Sequence, residues 1–228
     1  MTEYSEGWPE RLDGVEARLR WARVGSQASW GEVLSEKERQ RLEEISHEPT
    51  AKIYIRTRRL VRATLSEMGA EAPGHWRFGS EEHGRPYLKN PGEALEGLDF
   101  NVAHARRLVV MAWTRRGRVG IDLEPVDREV DHDLVARRFF HRREIEALRG
   151  LDEEARKRRF MALWVLKEAW MKADGRGIGA GLSNVVYRFG VDDAVELVAT
   201  PGPDDPARVE VALREVAGHW VAVVRRRQ

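Results

Sequence analysis

Residues 119–126 read VGIDLEPV, a short strand pattern that contains two carboxylates, Asp122 and Glu124. Residues two apart on a strand face the same way, so both acids are expected on one face of a sheet. Ile121 and Leu123 then point to the other face and predict a core there. Neighbouring carboxylates repel each other, and a hard cation relieves that repulsion. An isolated Asp-x-Glu is more often a solvated strand face, so this pattern needs support from elsewhere in the chain.

A long helical pattern runs from about Glu153 to Ala173 and closes at a glycine. Glu168 and Lys172 lie one turn apart on one face of this helix. Such a pair on its own is typical of a surface ion pair worth about 0.2–0.5 kcal/mol. Lys167 and Lys172 around one glutamate are more suggestive, because a metal ion with a bound phosphate needs both signs of charge close together.

Outward from these two segments, the element order is helix, helix, strands, and then helix, helix, strands. A capping box at Ser35 and Glu38 begins the first helix, and residues 2–31 are too weakly periodic to assign. The order predicts an α+β fold of two similar halves, residues 1–116 and 117–228. Helices are expected near 35–45, 49–69, 134–140, 142–149 and 153–173, and strands near 75–80, 98–103, 108–114, 119–126, 185–189, 195–198, 209–216 and 219–226.

Composition restricts the classes of function. The chain has 228 residues, a formal net charge of +1 and no cysteine. The absence of cysteine excludes disulfides, zinc–thiolate sites, iron–sulfur clusters and cysteine nucleophiles. The near-neutral charge points to neither a nucleic-acid nor a membrane partner. A polar N-terminus without a signal or membrane-spanning pattern fits a cytoplasmic protein.

Two further motifs lie between the first helices and the VGIDLEPV strand. FNVAH at residues 100–104 places His104 at the end of a strand, where a histidine is usually structural or simply exposed. GRPYL at residues 84–88 is a turn that presents Arg85. Each motif is weak alone, but their order and spacing are informative.

Taken together, GRPYL, FNxxH, GIDxE and WxxKEAxxK resemble the motifs of the 4′-phosphopantetheinyl transferase superfamily, and more narrowly its Sfp type. The resemblance covers roughly residues 34–179, and the last two motifs are the most specific. It implies two similar α/β lobes with coenzyme A in the cleft between them. It also implies a monomeric Mg²⁺ enzyme that moves phosphopantetheine from coenzyme A to a serine of a carrier protein and releases 3′,5′-ADP.

The resemblance implies roles for individual residues. Asp122, Glu124 and Glu168 match the metal carboxylates, and Lys172 matches the lysine that contacts the phosphate under attack. Glu144 matches a glutamate proposed as the general base, with a metal-bound water relayed through Glu168 as the alternative. The coenzyme A contacts implied are His104, Arg85 and Lys167 beside Lys172, with Lys52 and Arg56 as candidates for the basic contacts of the N-terminal half.

Two departures from the family pattern concern coenzyme A binding. Ala103 replaces the usual serine before His104, so one hydroxyl contact to a phosphate is expected to be missing. Arg85 replaces the commoner lysine, which keeps the charge and changes the hydrogen-bond geometry.

Two other functions remain as alternatives. A non-catalytic module that binds coenzyme A or a carrier protein would be expected to lose a metal carboxylate or Lys172. A nucleotide phosphotransferase would normally carry a glycine-rich loop opening a helix, whereas residues 175–179 follow one. The carrier remains open among fatty-acid, polyketide and nonribosomal peptide synthases, and residues 137–143 are the candidate docking surface for it.

Overall fold

The protein is an α+β structure of two lobes, each with helices packed on antiparallel strands. A computed structural model describes residues 10–11, 14–24, 33–177, 181–201 and 205–227. The helices are α1 Glu36–Glu43, α2 Glu48–Gly69, α3 His132–Phe139, α4 Arg142–Arg149 and α5 Glu153–Asp174. The strands are β1 Glu10–Arg11, β2 Arg18–Arg23, β3 Phe78–Ser80, β4 Pro86–Leu88, β5 Asp99–Ala105, β6 Leu108–Thr114, β7 Arg118–Pro125, β8 Val186–Phe189, β9 Val195–Ala199, β10 Val209–Val216 and β11 His219–Arg226.

The N-terminal lobe contains a four-stranded sheet in the order β1-β2-β6-β5, with α2 packed on one face. Leu60, Val61 and Leu65 of α2 are buried against Val109 and Met111 of β6. The predicted capping box begins α1, where Ser35 and Glu38 bond reciprocally. Glu38 also accepts a 2.7 Å hydrogen bond from Arg62, so an ion pair ties α1 to α2.

The C-terminal lobe contains a three-stranded sheet in the order β10-β11-β7, and α5 lies on it. Asp152 caps the start of α5, and Gly175 ends it with a φ of 84°, as the glycine at the helix end predicts. Ala169, Trp170 and Ala173 pack against the β11 strand. The faces of the two sheets turned away from α2 and α5 share a third core, which buries Ile121 and Leu123 as expected.

Gly120 allows β7 to lie unusually close to α5. A Cβ at this position would overlap the carbonyl oxygen of Ala169 and the backbone nitrogen of Ala173. The absence of a side chain therefore brings the next outward-facing residue on β7, Asp122, within reach of Lys172 on the helix. The glycine of the GIDxE motif thus contributes to the position of the acidic residues.

The two lobes meet along β5 and β7, which belong to separate sheets. Asp99 accepts a 2.7 Å hydrogen bond from the backbone N–H of Val119, and Asn101 accepts a 3.1 Å bond from that of Ile121. These side chains take the place of backbone ladder bonds across the boundary. The asparagine of the FNxxH motif therefore joins the lobes and aligns β5 with β7.

The structure also corrects some of the expected elements. Residues 2–31, left unassigned, include β1 and β2, although residues 1–9, 12–13 and 25–32 lie outside the described ranges. The expected strand at 75–80 starts only at Phe78, after a 3₁₀ turn, and pairs with the unexpected β4. In the described part of the chain, no helix is both long enough and apolar enough to cross a membrane.

Candidate active site

A cleft of about 760 Å³ lies between the two lobes. One wall is formed by α1 and α2, and the other by the turn before β4, the strand β5 and the end of α5. Its cationic and imidazole side chains are Arg41, Arg58, His83, Arg85, His104 and Lys172, and its other lining residues include Ile45, Ile53, Tyr54, Thr57, Asn101 and Met171. The cleft therefore combines positive charge with apolar and aromatic surface.

Lys172 joins this cleft to a group of carboxylates. Its ammonium donates a 2.7 Å hydrogen bond to Asp122 Oδ1, and it also lines the cleft. Glu124, two residues further along β7, pairs with Arg128. Glu168 lies one turn before Lys172 on α5 and interacts electrostatically with both acids of β7. The structure thus brings together Asp122, Glu124, Glu168 and Lys172, four residues that the sequence motifs singled out.

The ionised forms of Asp122, Glu124 and Glu168 are disfavoured by burial and by their proximity to one another. Burial, reinforced by Asp122 and Glu124 and opposed by Lys172, raises the pKa of Glu168 to about 7. Burial also raises the pKa of Asp122 despite the Lys172 ammonium, and that of Glu124 despite the Arg128 guanidinium. A cation placed among these carboxylates would relieve both the burial cost and the repulsion.

The donor chemistry of this cluster fits a hard divalent cation, since its three carboxylates supply oxygen ligands of the kind that Mg²⁺ prefers. Within the described ranges, however, no three acidic, histidine or cysteine side chains are already arranged around a common metal position. Two of the carboxylates are instead paired with Lys172 and Arg128. In this conformation the two basic side chains form ion pairs with Asp122 and Glu124, and a metal ion would compete with those ion pairs.

His104 lies on β5 and faces the cleft. Its imidazole is exposed there, and the cleft walls lower its pKa below 6.5, with a further contribution from the Lys172 ammonium. At neutral pH it is therefore mainly uncharged, and the interaction that it offers to an anion is a hydrogen bond more than a charge. Ala103, which precedes it, is buried and belongs to the core shared by the sheets.

Arg85 is buried at the boundary between the lobes, although it was predicted to bind coenzyme A. One terminal nitrogen donates to the Lys172 carbonyl at 2.5 Å. The other donates to Asp99 at 2.6 Å and to the Val119 carbonyl at 2.7 Å. Both ends of the guanidinium are thus already engaged by protein acceptors.

Glu144 and Lys167 do not reach the cleft, contrary to the roles implied for them. They form a fully buried ion pair of 2.8 Å in the core of the C-terminal lobe. Glu144 also accepts hydrogen bonds from the backbone nitrogens of His141 and Tyr187, while Lys167 donates to the Leu182 carbonyl. A carboxylate so enclosed cannot approach an incoming serine in this conformation, so the geometry favours a structural role.

The N-terminal basic candidates also need correction. Lys52 pairs with Glu48 at 2.6 Å, and Arg56 is buried on α2; neither is among the residues that line the cleft. Arg58 lines it instead, with its guanidinium 5.0 Å from the Tyr54 ring centroid. The sequence showed an arginine-rich stretch here but not which arginine faces the cleft. Arg41 and His83 also line the cleft and were not predicted, because neither belongs to a recognisable motif.

The segment proposed as a docking surface divides between core and surface. Phe140 is buried and stacks on Phe160, and Phe139 packs edge-on against Trp164. Leu134 on α3 is 65% exposed, an unusual degree for a large apolar side chain. The exposed cations of α3 and the start of α4 are Arg137, Arg138, Arg142 and Arg143.

Comparison with known proteins identifies the family. Residues 21–116 match the profile "4'-phosphopantetheinyl transferase, N-terminal", and residues 118–223 match that of the 4'-phosphopantetheinyl transferase superfamily. The 4'-phosphopantetheinyl transferase HetI of Nostoc is 33% identical over 163 residues, which are 68% of each chain. Sfp of Bacillus subtilis is 27% identical over 72% of this chain and 70% of its own.

A solved holo-(acyl-carrier-protein) synthase of Bacillus anthracis, in complex with CoA, is 21% identical with a TM-score of 0.43, covering 50% of this chain and 97% of that one. The two profiles together extend from residue 21 to residue 223. The two lobes, the order of the motifs in this sequence and the similarity to HetI and Sfp agree with one another. The chain belongs to the 4′-phosphopantetheinyl transferase superfamily and is an enzyme of the Sfp type.

Proposed function

We propose that this enzyme binds coenzyme A in the cleft between its lobes and transfers the phosphopantetheine arm to a serine of a carrier protein, releasing 3′,5′-ADP. The observation that carries the proposal is the position of Lys172, which lines the cleft and pairs with Asp122 of the acidic cluster. A phosphate bound in the cleft beside Lys172 would therefore lie next to the carboxylates.

The cleft lining suits coenzyme A, a ligand with three phosphates, an adenine ring and a long arm. Arg41, Arg58 and Lys172 supply positive charge for the phosphates, and His104 supplies a hydrogen bond. The Tyr54 ring and neighbouring apolar side chains offer surface for the adenine or the arm. Arg58 already lies over Tyr54, so one part of the lining is preorganised.

The metal site that we propose consists of Asp122, Glu124 and Glu168. Mg²⁺ bound there would polarise the pyrophosphate of coenzyme A and offset the charge that develops on the leaving 3′,5′-ADP. Lys172 adds a positive charge at the same position from the protein itself. Positioning and electrostatic stabilisation account for most of the catalysis of phosphoryl transfer, so no protein nucleophile is needed.

We assign the acceptor of the serine proton to Glu168 in preference to Glu144. Asp122 is paired with Lys172, and Glu124 with Arg128, whereas no ion-pair partner of Glu168 occurs among the described residues. The buried pair of Glu144 with Lys167 supports the same preference.

We propose α3 and the start of α4 as the surface that binds the carrier. Exposed Leu134 supplies an apolar anchor, and the exposed Arg137, Arg138, Arg142 and Arg143 of the same segment supply positive charge. Carrier proteins of the kind that the family modifies are typically acidic around their serine, so the charges are complementary. This segment follows β7 directly, which connects the surface to the acidic cluster.

We further propose that the lobes divide at residue 117 and that the enzyme acts as a monomer. The division is supported by the two family profiles, which end and begin at residues 116 and 118. The monomeric state is what the Sfp-type resemblance implies. Sedimentation of the purified chain tests it directly.

The proposed reaction is tested by incubating the enzyme with coenzyme A, Mg²⁺ and a panel of apo carrier proteins from fatty-acid, polyketide and nonribosomal peptide synthases. Intact mass spectrometry should detect one added phosphopantetheine on at least one carrier. The same carrier with its acceptor serine replaced by alanine should remain unmodified. Absence of modification across the whole panel, with coenzyme A intact, would refute the proposal.

A further inference from the structure

Arg85 touches three separate elements that together form the active site. It bonds to the Lys172 carbonyl at the end of α5, to the Val119 carbonyl on β7 and to the Asp99 carboxylate on β5. The Phe100 carbonyl is a fourth acceptor, at 3.3 Å. The side chain is only 5% exposed, so these hydrogen bonds are made with little competition from water.

These contacts supply hydrogen-bond partners to backbone groups of Lys172 and Val119 that have none within their own helix or sheet. The last four carbonyls of a helix have no partner within the helix, and Arg85 bonds the one at Lys172 from the other lobe. At Val119, the N–H is bonded by Asp99 and the C=O by Arg85. The Arg85–Asp99 pair therefore satisfies both backbone groups of Val119 at the boundary where β5 and β7 lack ladder bonds.

The geometry points to Arg85 as a positioning residue that holds the end of α5 against β7, and so sets Lys172 relative to Asp122. This role rests on the proposed function of Lys172 and differs from direct binding of a coenzyme A phosphate. It also depends on the residue type. A guanidinium spreads its donors over two terminal nitrogens in a rigid plane, whereas a lysine ammonium is a single point that cannot reach acceptors on three elements at once.

The test compares Arg85→Lys, Arg85→Ala and Asp99→Asn, with Arg77→Ala as an exposed arginine control in the same lobe. A positioning role predicts that Lys fails to rescue: kcat falls roughly 10–100-fold in both Arg85 variants, while KM for coenzyme A changes much less. Asp99→Asn should show a smaller loss of kcat in the same direction, and Arg77→Ala should match the wild type.

Hydrogen exchange of the free enzyme gives a second readout that needs no transfer reaction. Peptides covering residues 117–121 and 171–175 should exchange faster in Arg85→Lys than in the wild type, under conditions where both are fully folded. If the carrier panel fails and this change is still seen, the proposed function fails and the positioning role stands. A normal kcat and normal exchange in Arg85→Lys, with only KM for coenzyme A raised in Arg85→Ala, would overturn the inference.

Discussion

The Nζ atom of Lys172 lies 2.7 Å from Oδ1 of Asp122, a hydrogen-bonded ion pair between α5 and β7. The pair depends on Gly120, because a side chain there would overlap the helix backbone. It connects a cleft suited to phosphates with a cluster of carboxylates suited to a cation. Metal-free and metal-bound states of the enzyme should therefore differ in how Lys172 and Asp122 are paired.

The stability of the metal-free enzyme should depend on pH through Glu168. Its pKa in the folded state, about 7, lies above the ordinary 4.5. The folded state therefore holds this proton more tightly, and the stabilisation is present below pH 4.5 and is lost as the pH rises through 7. In excess chelator at pH 8, Glu168→Gln should have a free energy of unfolding about 1–3 kcal/mol higher than the wild type.

Denaturant unfolding at pH 5 and pH 8 measures this effect, and the advantage of Glu168→Gln should shrink at pH 5. Glu154→Gln, on the exposed first turn of the same helix, is the matched control. A glutamine variant that is no more stable than the wild type at pH 8 would contradict the assigned repulsion within the acidic cluster.

Arg58 should contribute to coenzyme A binding and Lys52 should not. Both lie on α2, but only Arg58 lines the cleft. Arg58→Ala should raise KM for coenzyme A about tenfold, the loss of one charge-assisted hydrogen bond, with a smaller change in kcat. Steady-state kinetics of Arg58→Ala and Lys52→Ala side by side provide the measurement. An effect of Lys52→Ala as large as that of Arg58→Ala would mean that the ligand lies elsewhere on the helix.

Glu144 should prove to be structural. Removing one partner of a buried ion pair leaves the other charge uncompensated, so Glu144→Ala should cost about 3–5 kcal/mol of stability. Replacing both partners, as Glu144→Ala with Lys167→Met, should recover most of that loss. Thermal unfolding of the three variants tests this.

The pH profile of kcat separates the structural role of Glu144 from catalysis. At temperatures where the double variant is folded, it should keep the acidic limb of the wild-type profile, because the proton acceptor is Glu168 in our assignment. A stable double variant that loses kcat together with its acidic limb would restore Glu144 as the base.

Local patterns were sufficient to predict much of the fold. Alternation on β7 identified the buried Ile121 and Leu123, and the glycine at 175 marked the end of α5. The strand β2 was missed because Arg20, at a core position, interrupts its alternation; it is buried against Thr64 and Glu67 of α2. The side-chain partners that allow this burial are more than forty residues away, so no local pattern could reveal them.

The candidate site was only partly predictable for the same reason. Asp122, Glu124, Glu168 and Lys172 were identified by spacing and motif, and the structure brings them together. Arg56 and Arg58 lie on the same helix and differ only in the side of it that they face. Because one arginine is buried on the core side of α2, residue type alone did not show which of the two faces the cleft. From the sequence alone, Glu144 at the start of a helix fits a helix cap, a general base or one half of a buried ion pair equally well. Only the position of Lys167 in the structure distinguishes these roles.

The carrier should bind through the exposed surface of α3. Leu134→Asp should raise KM for the carrier and leave KM for coenzyme A unchanged, because an apolar anchor is lost and an acidic charge faces an acidic partner. Charge reversal at Arg142 and Arg143 should act in the same direction, and added salt should weaken carrier use by the wild type. Carrier kinetics that are unchanged in both variants would locate the docking surface elsewhere.

The metal-dependent transfer itself is tested most directly by one measurement: intact mass of an apo carrier incubated with coenzyme A and the enzyme, in chelator and after Mg²⁺ is restored, with 3′,5′-ADP quantified in the same samples. For the wild type, we expect no transfer in chelator and, with Mg²⁺, one phosphopantetheine per carrier matched by one 3′,5′-ADP. Folded Asp122→Ala should give neither product under either condition. Full transfer in excess chelator, or an active Asp122→Ala enzyme, would contradict the assignment of Asp122, Glu124 and Glu168 as the metal site.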